Sequence, residues 1–285
     1  MKEPMNRTAE WEARWQKEIM FWILACLIAL GLIMAGTEAI RADVSLGAFP
    51  IRSEHQVAAG QTKTDGITVE NESAEPVHMR VTVADWYLTP GGDPMFVKRG
   101  RVPQFSMSDW IEVNPAEFDL GPHSQQIIRY TFTVPMGTPD GGYRTAILIE
   151  SVPNITQPHD IHMAYLNARI GAIIYDRVGA PATQASVTAQ QVILDPNNPS
   201  RLGVQITLKN SGNSYFRFKG ECKIVDGQGT EVETLPINDA VVLPQSERTI
   251  FLPLKKDLPA QKFSIVSSLD VGLKELLESV TQVQP

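Results

Sequence analysis

From about residue 43 onward the apolar positions of this chain recur with a period of two rather than 3.6. In Val77-His78-Met79-Arg80-Val81-Thr82-Val83 one parity is apolar and the other largely polar, the signature of a strand with one face on a core and one face wet. Runs of β-branched and aromatic residues repeat this pattern and predict strands over Val44–Ile51, Thr64–Asn71, Val77–Tyr87, Trp110–Val113, Gln125–Val134, Tyr143–Ser151 and Ile161–Val178. Between them, Pro90-Gly91-Gly92-Asp93-Pro94 and Thr138-Pro139-Asp140-Gly141-Gly142 supply the fixed and positive φ angles that turns require. Seven such strands predict a sandwich of two packed sheets.

Gly179-Ala180-Pro181-Ala182 breaks the pattern, and a second strand series follows: Ser186–Leu194, Gly203–Lys209, Phe216–Val225, Glu231–Leu235, Ala240–Leu243, Arg248–Leu254 and Phe263–Val271. Asp226-Gly227-Gln228-Gly229 is a hairpin signal within it. Leu273-Lys274-Glu275-Leu276-Leu277-Glu278-Ser279-Val280 has apolar residues at helical spacing and predicts a short amphipathic helix. The expected fold class is all-β, two tandem immunoglobulin-like sandwiches, at 43–179 and 183–272, behind one N-terminal apolar helix, with a tail over 273–285.

That helix is expected from Ile19 to Ala35, 17 residues without a charge, slightly short for a membrane span and long for a signal-peptide core. Residues 1–42 are therefore read as a cytoplasmic n-region followed by a signal peptide or a signal anchor. Lys2, Arg7, Arg14 and Lys17 precede the run and only Arg41 follows closely, which places the N-terminus in the cytoplasm and the bulk of the chain outside. Small residues at Thr37 and Ala39, or Ile40 and Ala42, suit a cleavage site. If it is not cleaved, the segment holds the protein on the membrane.

Composition narrows the function classes. The 285 residues are 43% hydrophobic and 20% charged, a globular balance with length for two domains. The net charge of -7 gives no basic footprint for nucleic acid. Cys26 lies in the apolar run and Cys222 in a predicted strand, so the exported part has no internal disulfide and rests on its cores.

Catalytic and cofactor chemistry find little support. No Gly-x-Ser-x-Gly, phosphate loop or dinucleotide fingerprint occurs, and Cys222 has no histidine nearby in sequence. His159 and His162 share one loop, but two histidines do not make a metal site, and His55, His78 and His123 fall at predicted strand edges or turns. Asp195-Pro196-Asn197-Asn198-Pro199 reads as Asx turns rather than a calcium loop. Trp86 and Trp110 read as core fillers. The expectation is no enzyme, no metal and no cofactor.

Three blocks over residues 44–178 resemble the N-terminal domain of periplasmic pilus-assembly chaperones, the PapD-like family. They are Ile67-Thr68-Val69-Glu70-Asn71 through Pro76 to Asp85-Trp86; Trp110 through Asn114-Pro115-Ala116-Glu117-Phe118-Asp119-Leu120 to Gln125–Arg129; and Val134-Pro135 through Gly142-Tyr143-Arg144 to Val152-Pro153. The usher-associated Asp-Arg-Glu-Ser stretch of the family is absent. The resemblance implies a chaperone that completes a client's fold by donating a strand, and anchors the client's terminal carboxylate with an Arg of its first strand and a Lys of its last. Arg52 and Arg169 are the positional counterparts here, and Ile161, Met163 and Tyr165 share the parity of Arg169 as the apolar, client-facing set. Arg at 169 would still pair with a carboxylate in bidentate fashion. The implied partner is an exported pilus-like or surface subunit, met in the periplasm or on the outer face of the inner membrane. The competing reading is a membrane-tethered structural or adhesion-associated envelope protein that binds through its sandwich faces.

Overall fold

The computed structural model describes residues 45–152, 167–196 and 198–284, and every element in them is a β-strand. The N-terminal apolar segment lies outside these residues, and among the described residues no helix is long and apolar enough to cross a membrane.

Among the described residues the first sandwich has ten strands: β1 (Leu46–Phe49), β2 (Arg52–His55), β3 (Thr62–Asn71), β4 (Val77–Leu88), β5 (Pro94–Lys98), β6 (Ile111–Asn114), β7 (Glu117–Leu120), β8 (Ser124–Thr133), β9 (Gly141–Ser151) and β10 (Arg169–Val178). One sheet has the order β1-β3-β8-β6, and the other β2-β10-β9-β4-β5 with β7 also paired to β4. Ile67, Val69, Met79, Ile128, Tyr130, Phe132, Ile147 and Ile174 fill the space between them, each at the core parity of its strand.

The strand expected over Val44–Ile51 is two strands in different sheets. Pro50 has no amide hydrogen to continue the ladder of β1 on β3, so the chain crosses there, and β2 joins the opposite sheet parallel to β10. β5 and β7 lie outside the expected strands; each is short and exists by pairing with β4. The strand expected over Ile161–Val178 is described from Arg169 onward.

After Val178 the chain passes through Gly179, whose φ of 67° is open to glycine, and enters the second sandwich at β11 (Ala185–Asp195). β12 (Asn198–Asn210), β13 (Phe216–Asp226), β14 (Glu231–Val242), β15 (Ser246–Pro253), β16 (Phe263–Asp270) and β17 (Leu277–Val283) follow. The sheets run β11-β12-β15 and β14-β13-β16-β17 around a separate core of Val204, Ile206, Leu208, Phe216, Phe218, Cys222, Ile224 and Ile265.

Two expectations are corrected here. Glu231–Leu235 and Ala240–Leu243 belong to one strand, β14, which carries a bulge: Phe218 faces Ala240 and Gly220 faces Ile237, leaving Lys219 opposite both Asn238 and Asp239. The tail helix is absent, because Leu277–Val283 pairs antiparallel with β16. A short helix must nucleate alone, whereas the open edge of β16 offers a ready ladder, and Leu277, Ser279, Thr281 and Val283 turn inward with period two.

Both sandwiches are pinned by the same device. Asn71, buried at the end of β3, donates through Nδ2 to the carbonyls of Glu75, Leu120 and Gly121 and accepts at Oδ1 from Ser73. Asn210, buried at the end of β12, donates to Ser214, Val242 and Leu243 and accepts from Gly212. Each side chain satisfies carbonyls of a following turn and of a strand end close by in the fold.

Candidate functional site

The site begins with an unequal pair of edges on β10. One side pairs with β9 along its whole length, from Arg169 opposite Glu150 to Val178 opposite Gly141. The other side pairs with β2 only from Ile173 to Asp176, so Arg169–Ala172 have no partner strand on that side among the described residues. The Ile173 amide donates to the Ile51 carbonyl at 2.9 Å, and strand alternation points the backbone groups of Gly171 and Arg169 to the same open side. Phe49 and Ile51, 77% and 58% exposed, stand at the crossing between sheets that adjoins this gap. An unpaired strand segment beside exposed apolar side chains is a template for another strand.

Arg52 opens β2 at the point where the gap ends, directly opposite Ile173. Its guanidinium lies 3.8 Å from Glu54 and 3.7 Å from Asp239 of the second sandwich. Arg169 does not join it: four residues separate Arg169 from Ile173, about 13 Å of strand. Arg169 instead makes an ion pair with Glu150, its cross-strand neighbour, and keeps an exposed side chain. The two arginines expected to act together stand at opposite ends of the gap, and the β10 residue that faces Arg52 is apolar. Ile161, Met163 and Tyr165 lie outside the described residues.

Asp239 reaches the cleft because of the bulge in β14. Leu235 and Ile237 point into the core of the second sandwich, and if the same sequence alternated without a bulge Asp239 would follow them; with the bulge, Ala240 and Val242 take the core and Asp239 and Val241 turn out toward the first sandwich. Arg217 of β13 grips Asp239 through Nε at 2.9 Å from each carboxylate oxygen, with Nη2 also donating to Oδ2. The hydrogen bond from Arg217 holds the Asp239 carboxyl below its usual range. Burial pulls the Arg217 guanidinium down, but the hydrogen bond to Asp239 together with the attraction of Asp239, Tyr175 and Glu54 gives a net upward shift.

An apolar cluster beside this pair joins the sandwiches: Ala84, Trp86, Ala146, Leu148 and Tyr175 against Tyr215, Val241 and Leu243. Tyr175 and Tyr215 stack at 4.3 Å, Arg177 lies over the Tyr215 ring at 4.8 Å, and the Tyr215 hydroxyl donates to Glu54. Arg144 is buried here over the Trp86 ring, with Nε donating to the Trp86 carbonyl, and burial pushes its guanidinium down to about 10. Backbone bonds add to the contact, from Gly142 N to Asn213 O and from Thr249 N to Pro90 O.

The remaining candidates fall into structural roles. Trp86 is a filler, but of the contact between sandwiches, while Trp110 packs on Tyr143 at 4.6 Å. Cys222 is a buried member of the second core, its thiol pushed up by burial. Asp85 is buried, which alone would raise its carboxyl, yet Ser106 Oγ and the Val102 amide hold it below its usual range; it organises the loop after β5. His55 meets the Tyr130 hydroxyl and His78 sits between Glu117 and Asp119. Among the described residues no three metal-ligating side chains converge, and His159 and His162 lie outside them.

Glu54, Tyr215, Arg217 and Asp239 went unread in the sequence. Their one local signal is Asn238-Asp239, residues typical of a turn, set between two apolar stretches.

No family model matches the chain, and no curated protein sequence matches it. Solved structures are similar to it. The YadV chaperone is 13% identical with a TM-score of 0.46, over 84% of this chain and 99% of that one. The E. coli chaperone DraB is 16% identical with a TM-score of 0.43, over 83% and 96%. CsuC-CsuE, the chaperone–tip adhesion subunit pre-assembly complex of the archaic chaperone-usher Csu pili of Acinetobacter baumannii, matches at 13% identity and a TM-score of 0.42, over 84% and 97%. The likeness is one of fold, the tandem sandwiches of PapD-like chaperones, and it spans nearly the whole of each matched chain.

Proposed function

We propose that this protein is a non-catalytic extracytoplasmic chaperone or assembly factor that holds an exported subunit by pairing one of the subunit's strands with the open edge of β10. The observation that carries this reading is the stretch Arg169–Ala172, which has no partner on that side among the described residues, lies in line with β2 and ends at Arg52. A strand laid there parallel to β10 runs toward Arg52 and brings its C-terminal carboxylate to a guanidinium; an antiparallel strand brings its ammonium there and is repelled. Charge thus selects the direction of the client. Phe49 and Ile51 supply the apolar surface beside the captured strand. The Csu complex, a chaperone bound to a tip adhesion subunit, is a parallel for such a partner.

The test uses an immunoglobulin-like pilus subunit that lacks its last strand, and the same subunit with that strand supplied in cis. The first is expected to form a one-to-one complex that slows amide exchange at Arg169 and Gly171, and the second to remain free. Equal binding of both forms, or a complex in which those amides exchange at the unbound rate, overturns the proposal.

A further inference from the structure

Resting on that reading, we infer that the client's carboxylate is received by two arginines from different sandwiches, Arg52 and Arg217, and that Asp239 occupies this site as an internal competitor until the client displaces it. Arg52 and Arg217 converge on one carboxylate oxygen, Oδ2 of Asp239. The resemblance leads one to expect the second cation on β10, but the β10 residue facing Arg52 is Ile173. The second sandwich supplies a cation instead, and the bulge at Asn238–Asp239 brings in the carboxylate that marks where an anion fits between the two.

The resting contact is built to be exchanged. Asp239 and Arg52 are each about half exposed, and at 3.7 Å their pair is held by charge without a close hydrogen bond. Solvent screens such pairs to a small net value, so Asp239 leaves Arg52 at little cost, and the bonds it gives up at Arg217 are remade by the incoming carboxylate. Arg217 is more enclosed and pre-oriented by its two Nε contacts, which lowers the ordering cost of receiving a bidentate partner. A strand arriving along β10 points its terminus at this place, and an internal strand with a blocked end gains nothing from it. The device therefore distinguishes a free C-terminus from any other extended segment. Glu54 is the further carboxylate at the site, 3.8 Å from Arg52; the Tyr215 hydroxyl holds it, so it shields the site without filling it.

The experiment compares two short β-forming peptides of alternating valine and threonine, one ending in a free carboxylate and one in an amide, by fluorescence anisotropy on the full chain. The free acid is expected to bind about tenfold or more tighter than the amide. D239N should tighten the free acid by about two- to fivefold and leave the amide unchanged. R52A and R217A should each remove most of the difference between the peptides. The double variant R217A/D239N should bind the free acid more weakly than D239N alone, because Arg217 is a ligand and not only the partner of Asp239. Circular dichroism of each variant checks that the sandwiches persist, and R217K, which keeps charge without the fork, should recover part of the loss. If both peptides bind alike to every folded variant, strand capture stands and the two-arginine site falls. Binding of neither peptide overturns strand capture and this inference together. A D239N chain that binds the free acid no better than the parent rejects the competitor.

Discussion

Replacing Asn71 tests whether one buried amide closes the first sandwich. Its Nδ2 reaches the carbonyls of Glu75 at 2.8 Å, Gly121 at 3.0 Å and Leu120 at 3.2 Å, and its Oδ1 receives the Ser73 amide at 3.0 Å and the Ser73 hydroxyl at 2.6 Å. The residue is 1% exposed, so water does not substitute freely for these partners. With a net value of about 1 kcal/mol per hydrogen bond, Asn71→Ala should cost about 3–5 kcal/mol. Asn71→Asp is the sharper variant. It keeps the volume and the acceptor facing Ser73, but sets an oxygen against three carbonyl oxygens in a buried place. It should cost at least as much as the alanine at neutral pH. Its deficit should shrink in acid, because a protonated carboxyl donates again to one carbonyl and the folded state then binds the proton more tightly than the unfolded chain. The assay is equilibrium urea unfolding followed by tryptophan fluorescence, since Trp86 and Trp110 both lie in this sandwich. An Asn71→Asp protein within about 1 kcal/mol of the parent at neutral pH would refute the reasoning, because one donor group could then not be what satisfies the three carbonyls.

Two further outcomes follow from the geometry. Burial raises the Asp176 carboxyl from 3.8 to about 6, with the Val57 amide donating to Oδ1 at 3.0 Å acting against it. The folded state therefore holds a proton that the unfolded chain releases between about pH 4 and pH 6, and stability falls as pH rises through that window by about 3 kcal/mol at most. Asp176→Asn should remove this slope, read as the difference between the two proteins' unfolding free energies across the window; parallel curves would sink the assignment. At Gly142 an added Cβ would stand 3.0 Å from both the Ser214 Cα and the Tyr215 ring, so Gly142→Val should prise the sandwiches apart. Small-angle scattering should show a larger radius of gyration, with Trp86 more open to a quencher, and an unchanged profile would mean the contact yields elsewhere.

The sequence pattern located the long core strands that have one face wet and the other dry. Val77–Val83 alternates because β4 has the first core on one side. The pattern failed where pairing rather than burial decides. Leu273–Val280 carries apolar residues at helical spacing, yet the neighbouring edge of β16 outcompetes a lone short helix and leaves Leu276 and Val280 exposed. Nothing between Val44 and Ile51 tells the reader that the chain changes sheets, since each half alternates correctly and only Pro50 marks the crossing. Glu231–Leu243 reads as two strands because a bulge and a turn use the same residue types.

The same limit governs the site. Which residue of β10 faces Arg52 depends on the register of two strands more than a hundred residues apart, and that register places Ile173 there and Arg169 about 13 Å away. Parity alone could not find this, because Arg169 and Ile173 share it. Nor could the first sandwich reveal the site by itself. The carboxylate and the second guanidinium beside Arg52 come from β14 and β13. In the proposed reading the second sandwich supplies half of the terminus-binding groups, and one bulge places its carboxylate. Exchanging Asp239 for alanine would leave Arg52 and Arg217 facing one another without the carboxylate that both now meet. Two guanidiniums so placed repel unless a carboxylate joins them, and that repulsion is the physical ground for proposing that Asp239 and a client's terminus take the same place in turn.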